Sequence, residues 1–191
     1  MPDNAPRSPY EKFFKLRGRL MVPPMLFVLF CTHWEVENHL LAFGLGGLLL
    51  AVGLALRLWA QMHLHYRLPN PMALTRTGPF AYVRNPIYIA NTTLLVGACI
   101  MSEVMVAAPF MLLCCMLVYT LVVRHEEIVL AQKYGQSYLD YCEQVPRWFP
   151  RLPAQRVGAQ FRSLDFLIPS LKAEAQTLLL AVPFVAKELI H

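Results

Sequence analysis

Residues 87–123 read IYIANTTLLVGACIM, SE, VMVAAPFMLLCCMLVYTLVV: two apolar runs, Ile87 to Met101 and Val104 to Val123, parted only by Ser102 and Glu103. Neither run shows the helical or alternating polar spacing of an element with one face in water. A helix needs roughly 20 such residues to cross a ~30 Å hydrocarbon core, so the pair reads as a tight antiparallel hairpin in a membrane.

Two further blocks precede it, Leu20 to Trp34 and His39 to Ala60. The second and fourth blocks are long enough unaided, whereas the first and third must borrow flanking residues, with Pro23 and Pro24 placed near a helix start or inside a packed bundle. With 57% of residues hydrophobic, 15% charged and a mean hydropathy of +0.43, water is not the main solvent of this chain. The expected fold is an all-α integral membrane bundle of about four transmembrane helices, a fifth being left open, with a cytosolic C-terminal helical region. A single domain over 1–191 is expected, made of an N-terminal segment 1–19, a bundle 20–123, a polar region 124–151 and an amphipathic tail 152–191.

Every Lys and Arg lies in residues 1–19, in the 57–86 connection (Arg57, Arg67, Arg76, Arg84) or after Val123, while the other two connections carry only Glu35, Glu37 and Glu103. Four spans put the basic segments on one side, so both termini are expected in the cytosol. A bacterial inner membrane is preferred to endoplasmic reticulum. The first block follows a basic start and lacks a small-residue cleavage site, which reads as an uncleaved anchor. In the tail, Leu171, Leu178, Leu179, Val182, Val185 and Leu189 share a face interrupted by Pro183, the pattern of an interfacial or docking helix.

Some functions are disfavoured. The net charge of +5 has no basic cluster interleaved with aromatics, so no nucleic acid is expected as partner. The five cysteines show no disulfide or zinc spacing, and His63 with His65 lacks a third ligand, so no metal is expected and these histidines read as exposed at the interface. Gly44-Leu45-Gly46 reads first as a close-packing face for a neighbouring helix.

Two polar clusters at the cytosolic boundary can carry chemistry. In Thr77 to Tyr88, Gly78-Pro79 makes a turn and Pro86 opens a helix whose free amides, beside Arg84 and Asn85, suit an anion. The same residues would also serve as a positive anchor and aromatic belt. The second cluster, Arg124-His125-Glu126-Glu127, sets carboxylates against the end of a span, where acids are functional candidates. Neighbours on a helix diverge by about 100°, so one Glu should face the interior and the other should meet a base or water. Further on, Leu130, Tyr134, Tyr138 and Tyr141 keep helical spacing before the proline-rich stretch from Val145 to Pro153.

Residues 77–151 resemble the isoprenylcysteine carboxyl methyltransferase and phospholipid methyltransferase superfamily of membrane enzymes. The resemblance is carried by Gly78-Pro79-Phe80, Tyr82-Val83-Arg84-Asn85-Pro86-Ile87-Tyr88, Glu126-Glu127, Tyr134-Gly135 with Tyr138 and Tyr141, and Val145-Pro146-Arg147. Asn85 stands where the family most often has histidine; an amide can hydrogen-bond but cannot act as a base. The resemblance implies S-adenosylmethionine as cofactor and a lipid or lipidated acceptor, carboxylate or amine, drawn from the bilayer. It implicates Tyr82, Arg84, Asn85, Tyr88, Glu126 and Glu127 in cofactor binding and Arg124, Glu127 and Arg147 in catalysis. His125, His63 or His65 could replace the absent histidine if a proton must be removed. A scaffold that keeps the fold without the chemistry, and an NADPH-dependent membrane reductase, are the competing readings.

Overall fold

The computed structural model describes residues 9–30, 39–64, 70, 72–104, 106–152 and 163–172. Among these there is no strand, and the long helices are α1 Glu11–Phe30, α2 His39–Met62, α3 Pro86–Met101, α4 Ala107–Tyr134 and α5 Gln136–Gln144, with a short helical stretch over 167–172. Glu35, Glu37, His65, Arg67 and the tail beyond residue 172 lie outside the described residues.

Helix α1 begins nine residues before the first apolar block, because Glu11 sits in its first turn and pairs with Lys15 four residues on, at 2.5 Å. The helix then runs through Pro23 and Pro24, so these prolines lie mid-helix rather than near its start. Helix α4 likewise does not stop at Val123. It carries Arg124 to Glu127 without a break and ends at Gly135, whose φ of +55° is a conformation glycine adopts freely.

Packing joins α3 most extensively to α2, then α1 to α4, and then α3 to α4. The α2 to α3 contact is a backbone approach: a Cβ on Gly46 would lie 2.7 Å from the Met101 nitrogen, and one on Gly97 2.9 Å from the Leu49 Cβ. Gly46 thus has the packing role expected of it, whereas nothing lies within 4 Å of a Cβ on Gly44. The interior is filled by Met21, Tyr88, Cys99, Met111, Cys115, Tyr119, Val122 and Val123.

Among the described residues two helices, α2 and α4, are long and apolar enough to cross a membrane. Only 17% of the apolar window of α2 is buried inside the protein, and its outward positions include Leu40, Leu45 and Leu48; such a surface calls for lipid rather than water. Helix α3 has 16 residues, about 24 Å of rise, short of the ~30 Å core. The Ser102-Glu103 hairpin turn is present but not solvated: Glu103 takes a φ of 62°, is 5% exposed, and pairs with His39 at the start of α2.

Candidate active site

The chain crosses itself where α3 begins. After α5, the segment Val145 to Arg151 returns alongside Tyr82 to Arg84: the Arg84 amide donates to the Pro146 carbonyl (2.9 Å) and the Arg151 amide to the Tyr82 carbonyl (3.0 Å). The buried Tyr141 fixes α5 to the turn before α3, its hydroxyl donating to the Phe80 carbonyl at 2.7 Å. Beneath that turn lies His63, whose Nδ1 is 3.0 Å from the Thr77 hydroxyl. Gly78 has φ +59°, and a Cβ there would come within 2.5 Å of the His63 ring. His63 is therefore buried, not the exposed interfacial residue that its position in a polar connection implied. Burial holds its pKa below the ordinary value of 6.5.

This crossing brings together charges far apart in sequence. Glu127 accepts two bonds from the Arg147 guanidinium, from Nε at 2.9 Å and Nη2 at 2.5 Å, and lies 3.2 Å from Arg84 Nη1. The Glu127 and Arg84 side chains are 16% and 14% exposed, so these are not the freely solvated pairs that contribute little. The carboxylate raises the pKa of Arg147. Glu126 is the other kind of acid: its Oε1 accepts the Tyr88 hydroxyl at 2.6 Å. The Asn85 side chain does not cap α3 but donates to the Arg147 carbonyl at 3.2 Å, bracing the strand of chain that carries Arg147. Arg84 Nη1 also donates to Cys142 Sγ at 2.7 Å, while its Nε is buried without a partner among the described residues.

Around these groups lies a cavity of about 610 Å³, inside the roughly 300–1,000 Å³ range of small-molecule sites. Arg84, Asn85, Tyr88, Glu126 and Glu127 all border it. Both acids reach it despite their divergence on the helix, because the cavity wraps past α4 to α5. Tyr138 and Tyr141 form that wall; burial raises both phenol pKa values, which leaves them neutral. Tyr82 is not among the lining residues; its ring packs on Trp59 at 6.1 Å. Arg147 reaches the cavity only through Glu127. Arg124 borders a separate depression that also touches Glu127, with its guanidinium 6.0 Å from the Tyr10 ring.

Residues that sequence reasoning did not select complete the lining: Phe14 and Arg17 from α1, Arg57 and Gln61 from α2, and Asn91 from α3. The signal that could have found the last three is spacing: Arg57 with Gln61, and Tyr88 with Asn91, are polar groups one turn apart on otherwise apolar helices.

Comparison with known proteins places the chain in a family. The model of the phospholipid methyltransferase family matches residues 41–137, from α2 to the start of α5. Over 161 residues the chain is 30% identical to the nickel-cobalt-cadmium resistance protein NccN of Alcaligenes xylosoxydans xylosoxydans, covering 79% of this chain and 73% of that one. Over 129 residues it is 32% identical to the cobalt-zinc-cadmium resistance protein CzcN of Cupriavidus metallidurans, covering 65% of this chain and 57% of that relative. No solved structure matches. The chain belongs to the phospholipid methyltransferase family.

Proposed function

We propose that this protein transfers a methyl group from S-adenosylmethionine to a lipid or lipidated acceptor held in the membrane, and that α1 to α4 all cross that membrane with both termini in the cytosol. The observation that carries the reading is the convergence of Glu126, Glu127, Arg84 and the first turn of α3 on one cavity. The donor set fits the cofactor. Carboxylates suit its amino group and ribose hydroxyls, and a carboxylate of its own would answer the unpartnered Arg84 Nε and the amides that open α3.

When bound, the cofactor supplies an electrophilic methyl on a sulfonium. The chain supplies position and dryness. Glu127, clamped by Arg84 and Arg147, is a fixed acceptor for donor groups; Glu126 is a second, steadied by the Tyr88 hydroxyl. Phe14, Phe80 and Tyr134 wall the space and exclude water from the reacting centre. Arg147 is a positioning residue, since it acts through Glu127, and Arg124 is the candidate for orienting an acidic acceptor from the neighbouring depression.

The two relatives are named as nickel-cobalt-cadmium and cobalt-zinc-cadmium resistance proteins, and resistance to such metals is the setting we propose for the transfer. Asn85, an amide in the place of the family histidine, favours the one second reading, a scaffold without transfer. Calorimetric titration of the purified protein with S-adenosylhomocysteine, with NADPH as control, separates the readings. Saturable binding of the first alone supports the methyltransferase. Binding of NADPH alone replaces it with a reductase, and binding of neither leaves the scaffold.

A further inference from the structure

The cavity has a second cationic wall, apart from the Arg84 and Arg147 clamp, built by two residues that the proposed cofactor site does not use. Arg57 projects from α2 and its guanidinium donates to the Asn91 carboxamide of α3. Arg57 lies five residues before the end of α2, and Asn91 five residues after Pro86, so the pair sits about 7–8 Å into the helices from the ends that flank the turn before α3. A guanidinium at such a depth in an apolar helix marks a functional site, with its orientation set here by a neighbouring helix.

The other residue, Arg17, comes from α1, before residue 41 where the family match begins. Its Nη1 donates to the Phe14 carbonyl at 2.8 Å and its guanidinium stacks 4.1 Å over the Phe14 ring. The Phe14 ring packs 5.0 Å from that of His125 on α4. Arg17 is exposed, and the stack holds it against Phe14, which in turn packs on α4 at the cavity rim. Both acids of the cavity have hydrogen-bond donors, Glu127 from Arg84 and Arg147 and Glu126 from Tyr88, and Arg17 also stands close enough to Glu126 to act on it electrostatically. With Arg17, Arg57 and Arg84 set against Glu126 and Glu127, the lining carries more positive than negative charge.

We propose that Arg17 and Arg57 form an anion subsite that holds a phosphate or carboxylate group of the bilayer-borne methyl acceptor, and that α1 completes the site. This rests on the methyltransferase reading for the word acceptor, though not for the binding itself. Arg guanidinium forks match either oxyanion in two-point geometry. The cofactor's own carboxylate is the other possible source of the same chemistry, and the test tells the two apart.

The full chain, in nanodiscs of choline lipid, is titrated in separate calorimetric experiments with dodecyl phosphate and with S-adenosylhomocysteine, dodecanol being the neutral control. Dodecyl phosphate is expected to bind saturably and dodecanol more weakly. Arg17→Ala and Arg57→Gln are each expected to lower dodecyl phosphate affinity about tenfold, and Arg57→Lys by less, while S-adenosylhomocysteine affinity moves less than about twofold. Arg17 lies at the rim, so Arg17→Ala keeps the test decisive should Arg57→Gln unfold, as thermal melts would reveal. The proposal is overturned if Arg17→Ala weakens S-adenosylhomocysteine as much as dodecyl phosphate, which would assign the subsite to the cofactor, or if dodecyl phosphate binds no better than dodecanol. Absence of S-adenosylhomocysteine binding to the unaltered protein would instead remove the methyltransferase reading and leave the anion result standing by itself.

Discussion

Glu126 and Glu127 are adjacent in sequence yet their surroundings divide their work. Glu127 is fixed by two guanidiniums, and Glu126 by one neutral hydroxyl. Glu127→Ala and Arg84→Ala are each expected to reduce S-adenosylhomocysteine affinity by about tenfold or more in a protein that still melts cooperatively, because each removes a charged contact at the cofactor. Unchanged calorimetric affinity in either would mean the site is misplaced. Arg147→Ala should cost less, since Glu127 keeps Arg84, and a loss as large as that of Glu127→Ala would give Arg147 a direct role. The acids and Arg84 were legible in the sequence because charged residues at the end of an apolar block need a reason. Phe14 and Arg17 were not, because a polar N-terminal segment reads equally well as a solvated tail until its helix is seen packed on α4.

Among the elements, the α2 to α3 seam and the turn before α3 set the cavity's shape. Gly97→Ala would bring a side chain within 2.9 Å of Leu49. The resulting overpacking is expected to destabilise the bundle by about 1–3 kcal/mol and lower its melting temperature in detergent. A melt equal to that of the unaltered protein would show that the seam has slack. The turn should respond to pH through His63. Its folded pKa lies below the ordinary 6.5, so the unfolded chain binds the proton more readily, and stability should fall as pH drops from about 7 through that value. His63→Asn should flatten the thermal stability profile between about pH 7.5 and pH 5; a slope as steep as before would assign the effect to another group. The sequence placed His63 in a polar connection, which says nothing of burial, and only the approach of Gly78 to its ring made it an internal strut.

For the molecule as a whole, the distribution of Lys and Arg argues for cytosolic termini, and α3 and the apolar half of α1 argue for spans that length alone does not grant. Fluorescent protein fused at the C-terminus should therefore light up in the cytosol, and a reporter inserted at Ser102 should be reached only from the opposite side; the reverse pattern would invert the topology. The sequence by itself determined that this chain is helical and mostly apolar, where its α2 and α4 blocks lie, and which family motifs it carries, because hydropathy and motif spacing are local properties of the chain. Only the tertiary structure decided which polar groups share a cavity. Arg17, Arg57, Arg84 and Glu127, with Arg147 behind Glu127, are spread over five segments, and what joins them is the packing of glycine faces, the Phe14 stack and two backbone bonds between the turn before α3 and the segment after α5. Contacts of such long sequence separation leave no trace in local pattern.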